Sequence, residues 1–269
     1  MTATFQDILV DYPAERVMRI TLNRPGRMNA YTTLMCEELV TALDAYLRDD
    51  AYGALILTGA GKGFCSGGDV SGEDEHRADL MKAQLSHGRE MRDGMHRVIL
   101  KLAQIDKPVI AALNGAAVAG GLTLALSCDM RLAADTAKLG DTSGRFGLLP
   151  DEGGAWLFPR AMGFDKALRM TLLGEVYDAA TAKELGLVTE VVPSDQLEAE
   201  SLSLASRLAK GAPLAMRLAK QMMLRGRDMT LEQSLGDAAM AVMISNPSED
   251  VREGVTAFFE KRTPAFKGR

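Results

Sequence analysis

The chain has 269 residues, 47% of them hydrophobic and 25% charged, the balance of a folded globular protein rather than a disordered one. Its formal net charge of −5 gives no electrostatic footprint for nucleic acid. Cys36, Cys65 and Cys128 fit neither a disulfide framework nor a zinc site in number or spacing, which points to a reducing cytoplasm.

Met1–Asp11 contains Asp7 and lacks the basic and apolar pattern of a targeting signal. Ile8–Val10 and Val17–Leu22 read as strands joined by the turn Tyr12–Arg16, the second alternating with period two. Asn23-Arg24-Pro25-Gly26 breaks the pattern. Thr32–Arg48 predicts a helix with Leu34, Leu39, Leu43 and Leu47 near one face. Ala54–Thr58 is a short apolar strand, and Gly59–Asp69 a glycine-rich loop.

Gly72–Ile105 is highly charged and holds His76, His87 and His96. A helix is expected from about Leu80, stopped by Lys107-Pro108. Val109–Leu113 and Met130–Ala134 read as strands, with a small-residue turn at Asn114–Gly121 entering a helix between them. The Gly115–Leu126 run falls short of the roughly 18 apolar residues of a membrane span. Leu148–Gly154 is a second loop, followed by a helix containing Trp156. Leu187–Val192 is the last strand. Four helical patterns follow, at Asp195–Ala209, Pro213–Leu224, Leu231–Ile244 and Ser248–Phe259. This divides the chain into an α/β core, 1–193, and a helical C-terminal region, 194–269. Such helices must bury their apolar faces on the core or on another subunit.

Several motifs fail on inspection. Gly59-Ala60-Gly61-Lys62-Gly63-Phe64 has Phe64 where a dinucleotide fingerprint needs its third glycine, and lacks the Ser or Thr of a P-loop. Ser66 lacks the upstream glycine of a nucleophile elbow. The histidines have no metal-ligand spacing and read as helix residues in a charged segment.

Two glycine-rich loops follow apolar strands: Gly63-Phe64-Cys65-Ser66-Gly67-Gly68-Asp69 and Asn114-Gly115-Ala116-Ala117-Val118-Ala119-Gly120-Gly121. Small residues let a carbonyl approach the main chain closely. One N–H from each loop can converge on one oxygen and stabilise developing negative charge. Taken singly, each loop also reads as a tight turn.

Together with their flanks these loops resemble the crotonase (enoyl-CoA hydratase/isomerase) superfamily. Leu22-Asn23-Arg24-Pro25 with Asn29-Ala30, Lys107-Pro108-Val109-Ile110-Ala111-Ala112-Leu113-Asn114-Gly115, Gly147-Leu148-Leu149-Pro150-Asp151 with Gly153-Gly154, and Glu253–Arg262 all fit, in family order over most of the chain. The resemblance implies a spiral of ββα units with a C-terminal helical trimerisation region, as a homotrimer or a hexamer built as a dimer of trimers. It implies acyl-CoA substrates, with coenzyme A entering as part of the substrate; with the charge, apolar runs and spacings above, no metal, redox cofactor, nucleic acid or membrane is expected. The oxyanion donors carry over onto the backbone of Gly68 and Gly120, flanked by Ser66 and Asp69. Arg24, Arg27 and Lys62 are candidates for the CoA phosphates, and Lys261 could reach CoA across a subunit boundary.

The family's hydratases use two glutamates, one to activate water and one to deliver a proton. Counting from the matched motifs places those positions on Thr123 and Ser143, neither a useful acid or base. Family members that shift double bonds carry an acidic residue at the position of Asp151. One carboxylate suffices for that 1,3-proton shift, so Asp151 is the expected base and Glu152 its substitute, with Asp141 and Glu90 further off. Leu148, Leu149 and Trp156 would make its surroundings apolar and raise its pKa, while a helix N-terminus would oppose this. An aspartate after proline also reads as a helix cap. An enoyl-CoA isomerase is the favoured function. The alternatives are a hydratase with relocated groups, another enolate reaction such as C–C hydrolysis if His87 or His96 enters the pocket, or a non-catalytic acyl-CoA-binding protein.

Overall fold

The computed structural model describes residues 5–70 and 86–269. Strands β1 (Ile8–Ala14) and β2 (Val17–Leu22) form an antiparallel hairpin. The turn is shorter than Tyr12–Arg16, because β1 continues to Ala14 through a register shift after Asp11. Beside β2 lie β3 (Ala54–Gly59), β5 (Val109–Leu113), β7 (Met130–Ala134) and β10 (Glu190–Val192), each parallel to its neighbour. The resulting six-stranded sheet has the order β1-β2-β3-β5-β7-β10. Only the last three residues of Leu187–Val192 are strand.

A second sheet, in the order β4-β6-β8-β9, is built from β4 (Gly63–Cys65), β6 (Ala116–Val118), β8 (Lys138–Gly140) and β9 (Val176–Asp178). The chain alternates between the sheets: β3 then β4, β5 then β6, β7 then β8. This is the expected ββ repeat, and α4 (Gly120–Leu126) completes one unit directly after β6. The predicted loop Gly59–Asp69 and turn Asn114–Gly121 therefore each contain a strand. Strands of three residues, Gly-Phe-Cys and Ala-Ala-Val, are too short to show a period by which sequence would reveal them.

Helix α1 (Thr33–Arg48) starts where expected, with the Thr32 hydroxyl accepting the Met35 N–H at 3.0 Å. It buries Met35, Leu39, Leu43 and Tyr46 in the main core, with Leu55, Leu57 and Val109 of the sheet. The charged segment is described from α2 (Ser86–Asp93), which breaks at Gly94 before α3 (Met95–Gln104). Helices α5 (Gly154–Met162), α6 (Phe164–Leu173) and α7 (Ala179–Glu184) follow β8.

The C-terminal region folds as the four predicted helices: α8 (Leu197–Ala209), α9 (Pro213–Gly226), α10 (Leu231–Ser245) and α11 (Glu249–Glu260). Helix α8 packs Leu197, Ala205 and Ala209 against Val17, Ile56 and Ile110 on the outer face of the large sheet. By contrast Leu235, Met243, Phe258 and Phe259 of α10 and α11 are 61–79% exposed. Among the described residues no helix is long and apolar enough to cross a membrane.

Candidate active site

Residues of both glycine-rich turns, Gly68 of the first and Ala119 of the second, line a cavity of about 350 Å³. Asn29 clips the first loop, its side-chain amide donating to the carbonyls of Ala60 (2.9 Å) and Gly63 (2.8 Å), while its oxygen accepts the Arg24 N–H. Tyr31 brackets Gly68: its N–H donates to the Gly67 carbonyl (2.9 Å), and its carbonyl accepts the Asp69 N–H (3.0 Å). The Gly68 N–H is thereby left without a backbone acceptor among the described residues. Gly67 takes φ 96°, and a Cβ there would stand 3.4 Å from the Gly120 nitrogen, so only glycine allows the turns this close.

Gly120 opens α4, where the first N–H groups have no intrahelical partner. Ala119 before it is held at φ 50°, ψ −124°, with its N–H donated to the Gly140 carbonyl at 3.0 Å. A Cβ on Gly121 would fall on the Cys65 carbonyl, so α4 starts hard against β4. Among the described residues neither the Gly68 N–H nor the Gly120 N–H has a backbone acceptor outside a helix, and Gly67, next to Gly68, packs against the Gly120 nitrogen.

Two neighbouring carboxyls line the same cavity. Asp151 lines the cavity with its side chain one-third exposed. It does not cap a helix: α5 is preceded by Gly153 and has no side-chain cap. Its carboxylate lies 3.4 Å from His87 Nε2, and its carbonyl accepts from His96 Nε2 at 2.7 Å. Helices α2 and α3 thus hold Asp151 from both sides. His76 lies outside the described residues.

Glu152 also lines the cavity but is buried. Its Oε1 accepts the Tyr31 hydroxyl at 2.7 Å and presses on Gly120, where a Cβ would collide with it. Its Oε2 is buried without a partner among the described residues. Burial pushes this carboxyl up to about 7, against the Tyr31 hydrogen bond, and the neighbouring Asp151 carboxylate adds to the rise. Tyr31, held well above its ordinary value by burial and by Glu152, stays a donor. Its importance was not legible in the sequence, where one tyrosine before a helix carries no motif.

The remaining candidates divide. Arg27, Ser66, Asp69, Leu148 and Leu149 line the cavity. Asp69 is buried and pairs with Arg24 at 2.8 Å, so Arg24 braces the loop rather than standing as a free phosphate ligand. Trp156 is not part of the wall. It is half exposed, with the Arg160 guanidinium 3.8 Å above its ring, so it does not supply the apolar surroundings of Asp151. Met91, Met95 and Phe146 line the cavity in its stead. Lys62 and Lys261 are exposed outside the lining. Thr123 is fully buried with its hydroxyl turned to the Ala119 carbonyl, and Ser143 is buried at the cavity wall. Asp141, fully buried, accepts the Ser143 N–H.

A family model described as enoyl-CoA hydratase/isomerase matches residues 13–269. The chain belongs to the enoyl-CoA hydratase/isomerase family. It is 35% identical over 263 residues to the 1,2-epoxyphenylacetyl-CoA isomerase of Escherichia coli (strain K12), covering 98% of this chain and 99% of that protein. It is 34% identical over 255 residues to the 2,3-dehydroadipyl-CoA hydratase of the same organism, covering 95% and 96%. The crystal structure of an enoyl-CoA hydratase from Bacillus anthracis superposes with a TM-score of 0.92 at 35% identity, over 98% of this chain and 100% of that one. Membership makes this chain an acyl-CoA enzyme at the level of the family. Relatives named for isomerisation and for hydration stand at the same distance, so the reaction type rests on the side chains of the cavity.

Proposed function

We propose that this member of the enoyl-CoA hydratase/isomerase family moves a double bond in an enoyl-CoA thioester, with Asp151 as the base. The observation that carries the reading is a substitution of positions. By the count from the matched motifs, Thr123 and Ser143 stand where the hydratases carry glutamates, while Asp151 lines the same cavity as Gly68. The thioester oxygen of a 3-enoyl substrate accepts the Gly68 and Gly120 N–H groups. Asp151 removes a proton from the α-carbon, and the electron pair moves to that oxygen as an enolate stabilised by both donors. Asp151 then returns a proton to the γ-carbon, and the double bond settles between the α- and β-carbons. No proton is gained or lost overall, and no metal or redox cofactor takes part. Glu152, kept protonated by burial up to about pH 7, avoids a second negative charge beside the base.

The test is proton NMR with 3-enoyl-CoA and 2-enoyl-CoA thioesters, run separately beside Asp151→Asn. Migration of the 3-ene, lost in the variant, supports both the reaction and the base. Hydration of the 2-ene without migration would replace this reading with an atypical hydratase. Binding without turnover on any thioester would make the chain a binding protein. His87 in the cavity favours one second reading, hydrolysis of a C–C bond in a 3-oxo thioester, which proton NMR with a 3-oxoacyl-CoA would report as release of a carboxylate.

A homotrimer, or a hexamer made of two, accounts for the exposed apolar side chains of α10 and α11.

A further inference from the structure

Asp151 is not the only titratable group on its side of the cavity. His87 and Glu90 stand one turn apart on α2, both lining the same space as Asp151. His87 Nδ1 lies 3.3 Å from the Glu90 carboxylate and its Nε2 lies 3.4 Å from the Asp151 carboxylate. The imidazole therefore bridges two carboxylates with its two nitrogens. Glu90 is largely shielded, its side chain 11% exposed, whereas the His87 ring is 36% exposed. The chain of groups thus runs from the base to a nitrogen heterocycle in contact with solvent.

We propose that His87, oriented by Glu90, is the positioning and proton-relay residue of Asp151. This rests on Asp151 being the base, as argued above. A carboxylate beside Nδ1 holds the proton on that nitrogen and leaves the Nε2 lone pair facing Asp151. Once Asp151 has taken the α-proton, its O–H has an acceptor in Nε2. The proton passes from the Asp151 oxygen to Nε2, giving an imidazolium between two carboxylates, and Asp151 is again ionised. In reverse, Nε2–H reprotonates Asp151, which delivers to the γ-carbon. The ring loses a proton for each one it gains, so the isomerisation stays balanced. During its stay on His87 the proton exchanges with water, so the hydrogen delivered to the product comes from solvent rather than from the substrate's α-carbon.

The experiment follows the origin of that hydrogen. Isomerisation of a 3-enoyl-CoA in D₂O is followed by proton NMR and mass spectrometry, for the wild type, His87→Gln and Glu90→Gln. Deuterium wash-in at the α-carbon of a saturated acyl-CoA is measured in parallel, since it needs enolate formation but no double bond. The relay predicts deuterium at the γ-carbon in the wild type. In His87→Gln turnover is slower and the product keeps mainly substrate-derived hydrogen, and α-carbon wash-in falls with it. Glu90→Gln shows the same change to a lesser degree. Unchanged deuterium content and wash-in in both variants, with turnover abolished by Asp151→Asn, would overturn the relay and leave the isomerase standing. Wash-in that depends on His87, with no double-bond migration, would support the relay and sink the isomerase. Absence of both reactions in the wild type would overturn the two together.

Discussion

Glu152→Gln keeps an oxygen for the Tyr31 hydroxyl and removes a titration. In the unfolded chain this carboxyl loses its proton near its ordinary value of 4.5, whereas burial in the fold keeps it protonated to about 7. Between those values the native state binds more protons than the unfolded state, so stability falls as pH rises. The penalty is absent below the lower value and complete above the upper one. It amounts to about 3 kcal/mol, the free energy between the two protonation states for a displacement of that size. Groups other than the neighbouring Asp151, whose carboxylate interacts with Glu152, titrate alike in both proteins and cancel in the difference. The amide introduces its own cost at the unpartnered Oε2 position, but that cost does not vary with pH. Urea unfolding of both proteins between about pH 5 and about pH 8 measures the effect. Wild-type stability is expected to drop relative to the variant by most of that amount across the interval, with the steepest change roughly midway between the two values, near pH 6. Parallel pH dependences would refute the claim that Glu152 is a buried proton-holding group, and with it the account of why Asp151 has no second charge beside it.

Gly120→Ala places a Cβ on the Glu152 carboxyl and 2.8 Å from the Tyr31 ring. It displaces the donor amide, and steady-state kinetics should show kcat lower by about 10²–10³, the usual cost of one oxyanion donor, with circular dichroism unchanged. Leu235→Lys with Met243→Lys puts two charges on the exposed apolar face of the C-terminal helices. Sedimentation should report a smaller species than the wild type, and an unchanged sedimentation coefficient would remove that face from any subunit contact.

Much of the fold was legible because its signals are periodic. The Val17–Leu22 alternation, the Thr32 cap and the four C-terminal helices sit where their patterns put them. The second sheet was not, since strands such as Ala116–Val118 owe their existence to neighbours rather than to their own side chains. The glycines of the site were readable through their spacing in two loops. The contacts of Tyr31 with Glu152, 121 positions apart, and of His87 with Asp151 depend on tertiary approach, which no local pattern encodes. Trp156 lies outside the cavity lining, half exposed beneath the guanidinium of Arg160 one turn on along α5, a contact that apolar patterning does not announce.

The backbone at Ala119, held at φ 50° in a non-glycine residue, has a consequence for how the site can diversify. Such a conformation costs on the order of 1–3 kcal/mol and persists only where the surroundings over-determine it. Here the Gly140 carbonyl and the tight start of α4 do so. The direction of the Gly120 amide is therefore set when the chain folds, before any thioester arrives. One side of the cavity is a fixed template, common to every substrate. The apolar part of the wall, Met91, Met95 and the Phe146–Leu149 turn, holds none of the donors, the base or the histidines that contact it, so a change of acyl preference can be written there without disturbing the chemistry.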